Sequence, residues 1–143
     1  MRTNFLILDR NWAVIVPPPG APEAEALCPS FDHAASLGFT LTDGARAQHI
    51  RDGTVASWAK HGYARRFEHR PGTRWQTLVD LAESAIELCR PGTREYWRER
   101  ILSLESGSVG ALVAAAPELS EITRCFTVEL VMVNRGRLLD VLR

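Results

Sequence analysis

The sequence lacks the patterns that identify membrane proteins and disulfide-rich proteins. No apolar run in its 143 residues approaches the ~18 residues that a membrane-spanning helix requires. The N-terminal segment MRTNFLILDRNWAVIV has an acid in its middle and no small-residue cleavage site, so we expect no signal peptide. Cys28, Cys89 and Cys125 are odd in number and widely spaced, which favours a reducing compartment. We therefore expect a cytoplasmic protein that does not bind membranes.

The motifs of common enzymes and metal sites are also missing. The chain has no glycine-rich phosphate loop, no H-E-x-x-H, no G-x-S-x-G and no cysteine pair. Glu95 and Glu99 have the spacing of an acid and base pair, but the three arginines around them favour a solvated, salt-bridged face. His33 lies near Cys28, but no second cysteine or histidine stands at the sequence spacing that metal sites use. We predict that the protein is not an enzyme and has no metal site and no cofactor.

The composition is typical of one globular domain, residues 1–143. Hydrophobic residues make up 45% and charged residues 24% of the chain, and both fractions are ordinary for a folded protein. Two apolar runs, 5–8 and 12–16, flank turn-forming residues, which predicts an N-terminal β-hairpin or one continuous strand. Because proline cannot donate to a sheet ladder, the proline-rich residues 17–30 predict a surface connection.

Residues 73–143 are predicted to form a helical core or dimerisation part. Thr73 and Gln76 match a capping box, which predicts the start of a helix. The apolar stripe of that helix is Leu78, Leu81, Ala82, Ala85, Leu88 and Cys89. A helix capped by Thr93 is expected to bury Tyr96 or Trp97 together with Ile101 and Leu104. Ser108 predicts the start of a third short helix at 109–115.

Residues 119–142 fit two structures. Leu119, Ile122, Phe126, Leu130 and Val133 have helical spacing. Residues 126–133 are rich in β-branched side chains, however, and 134–136 match a hairpin turn. The helix is slightly favoured. The expected fold is therefore α+β and predominantly helical, with an N-terminal hairpin or strand followed by about five helices.

The segment with a pattern typical of a function is 40–75. A helix-turn-helix needs a small residue where its helices touch, a tight turn, and apolar residues that fasten the second helix. The matching positions are Ala45, Ile50, Val55 and Trp58, with Asp52 and Gly53 in the turn. This spacing predicts a helix-turn-helix at 42–62.

The same basic segment holds most of the positive charge. From Arg46 to Arg74, seven lysine and arginine residues oppose two acidic ones, a net charge of +5, whereas the flanking segments 1–45 and 75–143 carry −3 and −2. Such a basic region attracts polyanions even in a neutral molecule. The predicted nucleic-acid-binding residues are Arg46, Arg51, Thr54, Ser57, Lys60, His61, Arg65, Arg66 and Arg70.

The segment from Ala45 to Gly62 resembles the helix-turn-helix of small bacterial regulators, in the pattern A(x4)I-R-D-G-T-V-x-x-W-x-K-x-G. The resemblance covers about one eighth of the chain and implies a DNA-binding segment. Two positions depart from it. His49 stands where a glycine is common before the turn, and Gly44 weakens the first helix by roughly 1 kcal/mol relative to alanine.

We expect a small bacterial or phage DNA-binding protein that regulates transcription and contacts double-stranded DNA. A homodimer is expected, because a short motif gains enough contacts by pairing. The alternative is a non-enzymatic interaction module, such as an antitoxin, an immunity protein, a phage-encoded inhibitor or a small subunit of a larger complex. In that case exposed arginine and aromatic residues meet a protein partner.

Overall fold

The computed structural model describes residues 4–9, 12–22, 24, 26–27, 37–63 and 74–143. The chain divides into two compact units, Met1–Thr40 and Leu41–Arg143. The single domain that the composition favours stays a prediction.

The first unit contains a small antiparallel sheet. Strand β1 (Asn4–Asp9) pairs with β2 (Trp12–Val16), and β2 pairs with the short β3 (Ala26–Leu27), in the order β1-β2-β3. The register of β1 and β2 shifts between Leu6 and Asp9, which marks an irregularity next to the turn. The two apolar runs at the N-terminus therefore form a hairpin. β3 lies within the stretch that was predicted as a surface connection.

The second unit is helical. The six helices in its described residues are α1 (Asp43–Arg51), α2 (Val55–Ala59), α3 (Leu78–Glu87), α4 (Thr93–Leu102), α5 (Ser106–Ala115) and α6 (Glu121–Val141). The predominantly helical prediction is confirmed. The mixed class is confirmed only in part, because the sheet in the described part of the chain is limited to three short strands.

The long helix α6 is the centre of this unit, and each of the other five described helices contacts it. α6 begins at its cap Ser120, whose hydroxyl accepts a hydrogen bond from the Thr123 backbone N–H at 3.1 Å. The hairpin alternative for 126–142 is wrong. The helix is favoured over the hairpin because it places Phe126 and Leu130, at i and i+4, on one face, and α1 and α2 bury that face.

The start of α3 differs from the prediction. Thr77, not Thr73, caps the helix, and Thr77 and Asp80 form the reciprocal capping box at 2.9 and 3.2 Å. The proposed cap Thr73 lies outside the described residues. The helix begins later because Thr77 forms an antiparallel bridge with Tyr63, and the Leu78 N–H donates to the Gly62 carbonyl at 2.8 Å.

The predicted burial of α3 and α4 is also wrong in part. In α3 the buried residue is Val79, whereas Leu78 and Leu88 are 55% and 90% exposed. Tyr96 and Trp97 are half exposed, and none of the ten residues of α4, all of them described, is buried. Helical spacing identifies an apolar face, but it does not show whether another element covers that face. α5 begins at Ser106, so the expected cap Ser108 lies inside the helix.

Candidate nucleic-acid interface

The helices and the turn of the predicted helix-turn-helix lie where the spacing places them. The Thr42 hydroxyl accepts from the Ala45 N–H at 3.3 Å and caps α1. α1 and α2 are joined by residues 52–54, in which Gly53 adopts a φ of +62°, a left-handed conformation that glycine tolerates best. α2 is only five residues long, so it offers less surface than the pattern up to Gly62 implies.

His49 and Thr54 fix the turn from inside. The Thr54 hydroxyl and His49 Nδ1 share a hydrogen bond at 2.8 Å, and the hydroxyl also lies 3.5 Å from the His49 carbonyl oxygen. The His49 ring packs against Trp58 and Phe126, with centroids 6.0 and 6.4 Å away. His49, the departure from the regulator pattern, is thus a structural residue in this protein. The hydroxyl of Thr54, a predicted contact residue, is engaged within the turn.

The two sides of α2 have opposite character. Val55 and Ala59 are buried, and Trp58 contacts Phe126 edge-on at a centroid distance of 5.6 Å. The exposed side carries Ser57, and the exposed Arg51, Lys60 and His61 stand at the ends of the two helices. The Arg51 side chain is 73% exposed. We call Arg51, Ser57, Lys60 and His61 the outer face of the helix-turn-helix.

Ser57 and His61 are ordered by hydrogen bonds to the helix itself. The Ser57 hydroxyl donates to the Thr54 carbonyl at 2.9 Å, and His61 Nδ1 lies 3.0 Å from the Ser57 carbonyl. Because a carbonyl only accepts, Nδ1 carries the proton and Nε2 is left for another partner. The His61 ring is therefore held at the C-terminal end of α2.

Arg46 has a different environment from the other predicted contacts. Its side chain is 12% exposed, and its Nη1 lies 2.8 Å from Asp43 Oδ1. Asp43 also accepts from the Thr123 hydroxyl at 2.8 Å, at the first turn of α6. Hydrogen bonds from Ser120, Thr123 and Arg46 lower the pKa of Asp43 below its ordinary value. Asp43 therefore links α1 to α6, and Arg46 is a positioning residue that holds the Asp43 carboxylate.

Arg74 is brought to the same end of α2, although it was not among the predicted site residues. Tyr63 and Thr77 pair through an antiparallel β-bridge. Arg74 Nη2 donates to the Tyr63 hydroxyl at 3.4 Å, which raises the pKa of Arg74, and the Tyr63 ring meets His61 edge-on at 6.3 Å. The predicted residues Arg65, Arg66 and Arg70 lie outside the described residues. Arg74 could be identified as a site residue only from the pairing of Tyr63 with Thr77, and no local sequence pattern predicts that pairing.

The described residues do not form a metal-binding cluster. They contain no group of three histidine, cysteine or acidic side chains that could hold a metal ion. A groove of about 580 Å³ runs between α5 and α6, with Arg124 and Cys125 in its lining. Arg124 donates to the carbonyls of Ala114, Ala116 and Leu119, so its guanidinium is occupied structurally. Within the described segments, no helix combines the length and apolarity needed to cross a membrane.

Comparisons of the chain with protein-family models, with curated proteins and with solved structures find no match. A functional proposal for this protein therefore depends on the chemistry and the placement of its own residues.

Proposed function

We propose that this protein binds double-stranded DNA through the outer face of its helix-turn-helix and acts as a transcriptional regulator. The observation that carries the proposal is the separation of the two faces of this segment. α6 covers the apolar face through Val55 and Ala59, while Arg51 and Lys60 remain exposed. Exposed cations on a helix pair that is anchored by its other face supply the charge that phosphate contacts require.

Each residue of the outer face has a role suited to its chemistry. Arg51 and Lys60 stand at the C-terminal ends of α1 and α2, where they supply positive charge to two phosphates. Ser57 on α2 and His61, two residues beyond its end, provide a hydroxyl and an imidazole for phosphate or base-edge contacts. Because α2 has only five residues, we expect phosphate contacts to dominate the affinity.

The remaining basic residues are further candidates for phosphate contacts. The proposal assigns phosphate contacts to Arg65, Arg66 and Arg70 from their charge alone. Arg74 joins them because its hydrogen bond to Tyr63 places it beside His61. Arg46 and Thr54 act indirectly, since Arg46 is paired with Asp43 and Thr54 with His49.

The test is fluorescence anisotropy of labelled duplex DNA at several salt concentrations. The double variant Arg51→Ala/Lys60→Ala should lose most of the binding, because two phosphate contacts disappear. The slope of log K against log salt should become shallower by about two, at roughly 0.9 per phosphate contact on duplex DNA. Thermal unfolding should change little, since both side chains are exposed.

The matched control is Arg90→Ala/Arg143→Ala, which removes the same charge from two exposed positions outside the helix-turn-helix. It should keep the wild-type salt slope. If both double variants weaken binding equally, the attraction is general and the outer face has no special role. If neither changes the slope, the proposed contacts are wrong.

A protein-interaction module is the second candidate, and one observation favours it. In the unit 41–143, the exposed large hydrophobic residues of the described segments all lie between Trp75 and Leu112. Apolar surface of this kind is typical of protein interfaces. The discriminating result is a stable complex with another protein that persists at salt concentrations that strip proteins from DNA. Absence of duplex binding at low salt together with such a complex would replace the first proposal.

A further inference from the structure

Ser57 and His61, on the outer face of the helix-turn-helix, each use a proton inside the protein. The Ser57 hydroxyl donates to the Thr54 carbonyl at 2.9 Å, and His61 Nδ1 donates to the Ser57 carbonyl at 3.0 Å. A hydroxyl and a neutral imidazole each have a single proton to donate. The groups that remain for a ligand are therefore the lone pairs of Ser57 Oγ and His61 Nε2, which accept hydrogen bonds.

The end of α2 accounts for the bond that His61 makes. In a continuing α-helix, the Ser57 carbonyl would accept from the backbone N–H four residues later, which belongs to His61. α2 ends at Ala59, however, and the His61 N–H donates to the Trp58 carbonyl at 3.0 Å instead. The His61 ring supplies the partner that a carbonyl at a helix end needs. The local fold thus places the proton on Nδ1 and leaves Nε2 as an acceptor.

The two acceptors are accessible and close together along the chain. Ser57 and His61 are both exposed, and the bond to the Ser57 carbonyl keeps the His61 ring beside residue 57. The Tyr63 ring adds a second contact, edge-on to His61 at 6.3 Å. Arg51 and Lys60, in contrast, carry N–H donors and no acceptor. The outer face therefore combines two cationic donors with two neutral acceptors.

These two kinds of group suit different parts of DNA. Phosphate oxygens accept hydrogen bonds, so they match Arg51 and Lys60 and do not match a pair of acceptors. In the major groove, the amino groups of adenine and cytosine are donors, whereas guanine and thymine present acceptors. We infer that Ser57 and His61 are specificity-determining residues that accept hydrogen bonds from the amino groups of adenine or cytosine. The inference rests on the DNA binding proposed above and narrows the role of these two residues to base edges.

The test uses a duplex that the wild-type protein selects from a random-sequence library at low salt. In one version, N6-methyladenine and N4-methylcytosine replace adenine and cytosine, and the groove loses its donors because the N–H that remains pairs with the opposite base. In the other, 7-deazapurines lose the N7 acceptor and keep every amino group. Fluorescence anisotropy is measured at about pH 8.5, where an imidazole in water is neutral. The dissociation constant should rise about tenfold for the methylated duplex and change by less than about twofold for the deaza duplex.

The variant Ser57→Ala/His61→Phe separates lost hydrogen bonds from obstruction by the added methyl groups. It removes both acceptors and keeps a ring at position 61, so it should bind the methylated and unmodified duplexes equally, and both more weakly than the wild type binds the unmodified one. Its salt slope should match the wild type, because Arg51 and Lys60 remain. Circular dichroism should show unchanged helix content.

Ser103→Ala is the matched control. The Ser103 hydroxyl makes the same kind of bond, to the Arg100 carbonyl at 2.8 Å, but lies outside the outer face. This variant should keep the full loss of affinity for the methylated duplex.

Four results would overturn the inference. They are wild-type binding that methylation leaves unchanged, an equal loss on methylation in the wild type and in the Ser57→Ala/His61→Phe variant, a loss confined to the deaza duplex, and no duplex binding at all by that variant in its folded form. In each case a salt slope that depends on Arg51 and Lys60 would leave the proposed function standing. A wild-type protein that selects no duplex at low salt would overturn the proposed function and this inference together.

Discussion

Two parts of the helical unit are held to α6 in different ways. α2 is attached by burial, with Val55 and Phe126 fully inaccessible to solvent. Two hydrogen bonds add to the contact of α1 and α2 with α6, one from Thr123 to Asp43 and one from Arg137 to the Ala59 carbonyl.

α4 is attached by hydrogen bonds: Arg94 of α4 donates to α6, and Arg135 of α6 donates to α4. None of the described residues of α4 is buried. In the first part, large apolar side chains are buried against α6. In α4, the large aromatic side chains of Tyr96 and Trp97 remain half exposed.

The comparison has a functional consequence. Val55 and Ala59 of α2 are buried, whereas Arg51 and Lys60 at the ends of α1 and α2 remain exposed, which suits a charged ligand. Arg94 of α4 and Arg135 of α6 make structural contacts at the two ends of α4, and the Tyr96 and Trp97 pair between them is half exposed, which suits a protein partner. Burial should therefore dominate stability in the first part, and hydrogen bonds should do so in the second.

The largest effect is expected from the buried core. Phe126→Ala removes a fully buried ring, and the free energy of unfolding should fall by about 3 to 5 kcal/mol. The matched control is Leu112→Ala, at a residue that is 75% exposed in α5, which should change stability by about 0.5 kcal/mol or less. Urea unfolding measures both. Equal losses in the two variants would contradict the assignment of the core.

The next effect concerns the attachment of α4. Arg135→Met removes two hydrogen bonds to the carbonyls at the end of α4, and stability should fall by about 1 to 2 kcal/mol. Amide exchange should accelerate mainly in residues 93–102. Arg143→Met is the control, because its ion pair with Asp140 is largely exposed and should contribute about 0.5 kcal/mol or less. Uniformly faster exchange across α1, α2 and α6 would show that Arg135 does not act locally on α4.

A pair of glycine substitutions should change stability in opposite directions. Gly53→Ala forces a side chain into a left-handed turn conformation and should cost about 1 kcal/mol. Gly110→Ala lies inside α5 with open space around the added methyl group, so it should stabilise the protein by up to about 1 kcal/mol. Denaturant unfolding gives both signs. A stabilising Gly53→Ala would mean that the turn between α1 and α2 does not need this conformation.

The smallest effect is a change in pH dependence at the start of α1. The lowered pKa of Asp43 means that its carboxylate stabilises the folded state above the unfolded pKa of about 3.9, and this stability is lost as the pH falls through the folded pKa. Asp43→Asn should therefore reduce stability at neutral pH and flatten its decline in acid. Unfolding curves between neutral and acidic pH test this. A parallel shift of the whole stability profile would show that Asp43 does not contribute through ionisation.

The parts of the fold that depend on local spacing were predictable. The offsets of Val55 and Trp58 from the turn predicted the inner face of α2, and the stripe through Phe126 and Leu130 favoured α6 as a helix. The exposure of Trp97 was not predictable, because spacing does not reveal whether a neighbour covers a face.

Features that depend on distant partners were also missed. The start of α3 depends on Tyr63, and the environment of Arg46 depends on Asp43 and its bond to Thr123, 80 residues further along the chain. In the candidate site, the exposed Arg51 and Lys60 could be proposed from charge and spacing. The role of His49 in the turn and the position of Arg74 required the structure, because each depends on a side-chain contact across the fold.

The most direct test of the account is an NMR titration of the protein with a mixed-sequence DNA duplex at low salt. The account predicts that the backbone amide signals of Arg51, Ser57, Lys60 and His61 shift as DNA is added. The signals of residues 95–100 in α4 should stay in place, since none of these residues belongs to the outer face. Shifts concentrated in α4, or no shifts at the outer face of the helix-turn-helix, would contradict the central claim.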